Sequence, residues 1–303
     1  MKAVVLHEYG PPKNLKYEDF PDPKPGPGEV LIRVASVSLN PVDWKMRSGA
    51  AKDRFPVEFP GIIGRDVAGI VQDVGEGVSG FAEGDRVFAL AVHTYAELCV
   101  VPAKDLAKIP EGLETTTAGA VPLVSLTGDQ LIHKATNVQP GQTILLTGTL
   151  GSVGRMALYA ALEAGAKVIA GVRKKQIDEA IALGAIAAID VGDDDELARL
   201  GLLDGVADTL GGALATKLLA KVKPGGMFGS VLGPPQGAAL HPTVQVNAIT
   251  AQPHPATVVH YGEAVRDGKL LLPIDRLLAL ADAAEAHAAA EKGGVSGKII
   301  LLA

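Results

Sequence analysis

Between residues 142 and 232, short apolar runs alternate with longer Ala- and Leu-rich segments, and no other feature narrows the possible folds as far. The pattern predicts strands over 142–147, 167–172, 187–190, 206–210 and 227–232. Between them it predicts helices over 152–164, 176–183, 194–200 and 214–222. Strand and helix in alternation imply a parallel sheet covered on both faces.

The first third of the chain reads differently. Short runs rich in Val, Ile and Leu at 3–6, 29–37, 69–74 and 85–89 are separated by Gly/Pro clusters at 21–28 and 56–64. Such punctuation predicts a compact barrel or sandwich with little helix. The tail predicts helices over 256–266 and 281–291 and a closing strand over 298–302; the Ala-rich stretch 279–290 reads as an ordinary packed helix.

Composition removes several function classes. Aromatics are 4% of the chain and 28 Lys+Arg face 34 Asp+Glu, a net charge of -6, so neither stacking platforms nor surplus cations await a nucleic acid. The single cysteine, Cys99, cannot close an internal disulfide or build a thiolate zinc site alone. That points to a reducing, cytoplasmic compartment. The apolar run at 3–6 is too short for a signal-peptide core, and no run reaches the ~18 residues of a membrane span.

The candidate chemistry begins where the first strand of the alternating region ends, at Gly148-Thr149-Leu150-Gly151-Ser152-Val153-Gly154. Glycines there let a pyrophosphate approach the amide N–H groups that open the next helix, where the helix dipole favours negative charge. The spacing is GxxGxxG rather than GxGxxG, but its place between strand and helix is that of a dinucleotide-binding turn. The second strand then ends in Arg173-Lys174-Lys175, where NAD-selective sites carry a carboxylate for the ribose 2'-hydroxyl. Three cations there favour the 2'-phosphate of NADPH, Arg173 by bidentate bonding. The alternative is a solvated basic patch.

The segments Gly64-Arg65-Asp66-Val67-Ala68-Gly69, Gly84-Asp85-Arg86-Val87, Asn40-Pro41-Val42-Asp43-Trp44-Lys45, Lys223-Pro224-Gly225-Gly226 and Gly297-Lys298 together resemble the zinc-free quinone oxidoreductase branch of the medium-chain dehydrogenase/reductase superfamily. The resemblance covers the whole chain. It implies an α/β fold of a GroES-like β-barrel domain, 1–117 with 265–303, plus a Rossmann doubly wound parallel sheet domain over 118–264. It also implies an absence: a cysteine stands at the place of Asn40, and a His-Glu pair at that of Arg65-Asp66, in zinc-dependent members. No metal site is therefore expected, and the seven histidines are read as loop and helix-surface residues.

Without a metal, the substrate must itself accept hydride, as quinones and α,β-unsaturated carbonyls do. Candidate catalytic residues are Asn40, Thr127, Asp43 and Arg65. Asn40 either donates to a carbonyl or cofactor hydroxyl or is a turn residue before Pro41, while the resemblance puts Thr127 at the nicotinamide end. Asp43 either serves the cleft or forms an ion pair with Lys45 or Arg47; Arg65 either holds an anionic substrate or the cofactor, or pairs with Asp66 or another carboxylate. The expected partner is a small electrophile, with no nucleic acid or membrane, and the resemblance implies a homodimer joined near 243–250. Two rivals stand beside this reading: a cofactor-binding structural or regulatory relative without turnover, and a zinc-dependent alcohol dehydrogenase. Residues 293–298 lack the first glycine and the Ser/Thr of a P-loop, no GxSxG elbow occurs, and Cys99 lies in an apolar strand-like context that suits a buried hydrophobe.

Overall fold

The computed structural model describes residues 1–303 and separates into two compact units, Met1–Leu123 with Gln252–Ala303, and Val124–Ala251.

The first unit is built on a seven-stranded sheet and a three-stranded one. In the larger sheet the long strand Glu29–Ser38 pairs antiparallel with Asp66–Val74, with Leu98–Pro102 and with the closing strand Lys298–Leu302. Both chain ends thus contribute to one sheet. The closing strand is apolar after its first residue, and Ile299, Ile300 and Leu301 are buried. Removing such side chains from water contributes roughly 1.5–3 kcal/mol each.

The second unit holds a six-stranded parallel sheet. In space its strands run Ala187–Asp190, Lys167–Val172, Thr143–Thr147, Leu203–Asp208, Val222–Ser230, Gln245–Ala248, which in chain order is 3-2-1-4-5-6, the doubly wound Rossmann arrangement. Leu145, Val206 and Phe228 on neighbouring strands and Leu219 on the helix Gly212–Leu219 are fully buried in one cluster. The strand order reverses beside the first strand, so a crevice opens at the carboxyl ends of the first and fourth strands, Thr143–Thr147 and Leu203–Asp208.

The expected α/β architecture is present, with differences of detail. A helix, Pro41–Ser48, stands in the region read as nearly all β. Pro41 opens it, the Asp43 carboxylate accepts the Asn40 backbone N–H at 2.8 Å, and Gly49 ends it in the left-handed region at φ 80°. Its eight residues carry no apolar period, so the capping pattern Asn-Pro-x-Asp was its only signal. The strands Leu15–Asp19 and Ile274–Ala279 were also not anticipated, being half polar and at or near sheet edges. The changes between units fall at 123/124 and 251/252, not at 117/118 and 264/265. Helix Pro255–Arg266 belongs to the first unit because Gly262 lies against Phe88 and Leu113, with a Cβ at that position 3.2 Å from the Phe88 ring.

Candidate functional site

The glycine turn sits at the end of the first parallel strand. Gly148 takes φ +63°, and its N–H donates to Gly171 O at 2.9 Å, which binds the turn to the end of the second strand. A Cβ on Gly154 would stand 2.1 Å from Gly148 O, so only glycine lets the helix Ser152–Glu163 start this close to the strand. Gly151 is different. It is exposed, and a Cβ there would meet only Gly148 O, at 3.2 Å. The turn is thus a cradle with an open side at the amino end of a twelve-residue helix, and it fits a pyrophosphate. Thr149 is buried and donates its hydroxyl to Leu146 O at 2.6 Å, while Leu150 O accepts from Arg155 Nε at 3.2 Å. Ser152 and Val153 form the half-buried first turn.

Arg173, Lys174 and Lys175 follow the second strand, all exposed and none in a salt bridge. Glu179, on the next helix, is held instead by Arg155. Thr127 is half-buried on the helix Pro122–Gln130, beside Gly128, which lies against the helix of the glycine turn: a Cβ on Gly128 would be 2.6 Å from Met156 Cβ. Thr127 and the turn therefore share one packed pair of helices.

A residue not singled out in the sequence organises the same crevice. Asp208, fully buried at the end of the fourth strand, accepts from Thr147 Oγ1 at 2.9 Å, Gly211 N at 3.0 Å and Ser230 Oγ at 3.1 Å. One carboxylate thereby ties together the ends of the first, fourth and fifth strands. Its signal was an Asp late in an apolar strand whose carboxyl end lies beside that of the strand leading into the glycine turn.

In the first unit, Asn40, Asp43, Asp66 and Lys298 form one buried cluster. Lys298 Nζ donates to Asn40 Oδ1 at 2.6 Å and Leu39 O at 3.1 Å and lies 3.8 Å from Asp66 Oδ2. Asn40 Nδ2 donates to Asp66 Oδ2 at 2.8 Å and Ser38 O at 3.1 Å. Asp66 also accepts from Ser38 Oγ and, through Oδ1, from Leu123 N at 2.7 Å. The lysine ammonium fixes which end of the Asn40 amide is the acceptor, and the amide is fully engaged within the protein. Burial lowers the Lys298 pKa, against the pull of Asp66 and Asp43.

Asp43 makes no ion pair with Lys45 or Arg47. Its Oδ2 accepts from Asn40 N–H and from Tyr95 Oη at 3.2 Å, its Oδ1 has no partner, and burial pushes its pKa up to about 7. Arg47 turns instead to Glu291, at 2.5 Å. Nor does Arg65 pair with Asp66. Its Nε donates to Ala91 O at 3.0 Å, and its guanidinium lies 5.4 Å from the centroid of the Phe55 ring. The reason is competition: Lys298, Asn40, Ser38 and the Leu123 N–H already occupy Asp66.

One histidine departs from the expected loop and helix-surface placement. His287 is fully buried in edge-to-face contact with Tyr95, with ring centroids 5.8 Å apart, and burial beside Arg47 drives its pKa down to about 3. Cys99 is buried, as its apolar surroundings predicted, and its thiol is pushed up to about 12. No group of three or more His, Cys, Asp or Glu side chains is placed to hold a metal ion, and no helix is long and apolar enough to cross a membrane.

Comparison with known proteins gives this arrangement a context. The alcohol dehydrogenase GroES-like domain family matches residues 26–111, and the zinc-binding dehydrogenase family matches residues 183–301. A quinone oxidoreductase from Pseudomonas aeruginosa is 31% identical over 99% of both chains. The chain belongs to the quinone oxidoreductase branch of the medium-chain dehydrogenase/reductase superfamily. Within that superfamily it is also similar to the acryloyl-coenzyme A reductase of Sulfurisphaera tokodaii, 31% identical over 70% of each chain. A solved mycobacterial structure, Rv1454c complexed with NADPH, matches all of this chain and all of its own with a TM-score of 0.85 and 27% identity. The medium-chain reductase fold accounts for the GroES-like first unit and the Rossmann-type second unit. The relatives named here include a quinone oxidoreductase and an acryloyl-coenzyme A reductase, and by family this chain is an oxidoreductase.

Proposed function

We propose that the protein is a zinc-independent, NADPH-dependent reductase of quinones or α,β-unsaturated carbonyls. The observation that carries this reading is the open glycine cradle at the switch point of a 3-2-1-4-5-6 sheet, with three unpaired cations at the end of the adjacent strand. Gly148, Thr149, Leu150, Gly151, Ser152, Val153 and Gly154 would hold the pyrophosphate through backbone N–H groups. Arg173, Lys174 and Lys175 would hold the 2'-phosphate, and the relative solved with NADPH supports that cofactor. When bound, a reduced nicotinamide supplies hydride from C4; a proton from solvent completes the reduction of the double bond.

The residues of this chain then bind, orient and keep the site in register. Thr127, on the helix packed against the cofactor turn, is assigned to the nicotinamide end. Asn40 and Asp43 act by position: Asn40 caps the helix Pro41–Ser48, and Lys298 and Asp66 lock its amide. A zinc ion does not suit this donor set, since Asp66 and Asn40 already share a lysine ammonium and Arg65 offers only N–H donors. The edge strand Gln245–Ala248 is assigned to self-association as a homodimer, and a reducing, cytoplasmic setting suits the buried thiol.

The test is NADPH oxidation with a panel of quinones and enones, beside NADPH binding by fluorescence. Turnover of at least one electrophile class supports the reading. Binding without turnover of any of them makes the protein a cofactor-binding relative without enzymatic activity, and stoichiometric zinc by elemental analysis would overturn the metal-free mechanism.

A further inference from the structure

Arg65 lies beside the buried cluster and forms no salt bridge, although the charges of Asp43 and Asp66 act on it from a distance. It is half-buried, and burial lowers its pKa. Its backbone oxygen accepts the Ala91 N–H at 2.8 Å and its Nε donates back to Ala91 O at 3.0 Å, so the root of the guanidinium is fixed from both sides. Neither Nη nitrogen has a hydrogen-bond partner in the protein, and no carboxylate comes within salt-bridge distance.

The local charges leave room for an anion. Asp66 is matched by Lys298 and by three further donors, and Asp43 carries little negative charge below neutral pH. Asp53 and Glu58, the exposed acids of the segment 50–60, form no salt bridge with Arg65, and Glu58 acts on His93. Phe55 meanwhile offers an apolar wall, with the guanidinium carbons of both Arg54 and Arg65 at 5.4 Å from its ring centroid. A fixed guanidinium with two free N–H edges beside an aromatic ring is a geometry for a planar oxyanion attached to an unsaturated carbon skeleton.

We propose that Arg65, backed by Phe55, is a substrate-recognition site for a carboxylate. The preferred substrate class is then an enone that bears a carboxylate, rather than a neutral quinone or enone. This rests on the reductase reading above and narrows it.

The experiment compares 4-oxo-2-pentenoate with its methyl ester under NADPH, using the full chain and its R65Q and R65K variants. The wild type is expected to favour the acid in kcat/KM by about tenfold or more, a preference that added salt erodes; in R65Q the ratio should fall close to one. R65K keeps the charge without the fork and should lie between them, which retains the test if R65Q does not fold. A wild-type ratio at or below one, or a ratio that R65Q leaves intact, overturns the proposal. Should neither compound be reduced, calorimetry with unreactive 4-oxopentanoate separates the two readings. Binding that weakens about tenfold in R65Q keeps the anion site while the reductase reading falls, and binding that is absent or independent of Arg65 removes the site as well.

Discussion

Replacing Lys298 by Met removes a buried ammonium while keeping an unbranched side chain of similar length. The structure defines what is lost: hydrogen bonds to Asn40 Oδ1 at 2.6 Å and Leu39 O at 3.1 Å, and the 3.8 Å pairing with Asp66. Asp66 would remain fully buried, with Ser38, Asn40 and the Leu123 N–H as donors but no cation. Breaking a buried ion pair from one side costs about 3–5 kcal/mol, because an uncompensated charge stays behind. For a unit of this size that is a fall in Tm of roughly 6–20 °C.

The double variant K298M/D66N removes both charges. Because no uncompensated charge is left at position 66, it should be more stable than K298M by about 1–3 kcal/mol. Thermal and urea unfolding of wild type, both single variants and the double variant make the cycle. The reasoning fails if K298M lies within about 1 kcal/mol of wild type, or if adding D66N makes K298M worse.

Other consequences are open to measurement. The Asp43 carboxyl, held near 7 instead of its ordinary 3.8, keeps its proton in the folded state where the unfolded chain has lost it. Stability must therefore fall as pH rises through that window, by about 4 kcal/mol, and level off above it. In D43N this slope should vanish, so the variant gains on wild type between pH 4 and 8; parallel pH profiles would contradict the assignment. G154A should destabilise the second unit, because its Cβ would stand 2.1 Å from Gly148 O, and should abolish NADPH binding. G151A, with 3.2 Å to the same atom, should melt like wild type yet bind NADPH at least about tenfold more weakly, as read by cofactor fluorescence. R173A should lower the ratio of NADPH to NADH affinity by about tenfold; an unchanged ratio would remove the 2'-phosphate role.

Much of the second unit was legible in the sequence, because covered parallel strands must be apolar and the connecting helices must carry an apolar stripe. The strands Lys167–Val172 and Ala187–Asp190 have the bounds their patterns predicted. The glycine turn was legible for a related reason: Gly154 cannot carry a Cβ where two backbones meet. The buried charge cluster was not. A lysine at the start of a strand normally reads as a solvated end, and only pairing of the closing strand with Glu29–Ser38 brings Lys298 to Asn40, 258 residues away in the chain. His287 escaped for a similar reason, since on an Ala-rich helix a polar residue reads as the exposed face, yet here it lies against Tyr95. Arg65 and Asp66 invited pairing by adjacency, but Lys298 had already matched the carboxylate.

The central claim is hydride transfer to an activated double bond, and an isotope tests it most directly. With NADPH deuterated at the transferring C4 position and an enone substrate, the account predicts a saturated ketone carrying one deuterium at the β carbon, detected by mass spectrometry and NMR. A saturated product without that deuterium, or no reduced product from quinones or enones at any pH at which the chain is folded and binds NADPH, would contradict it.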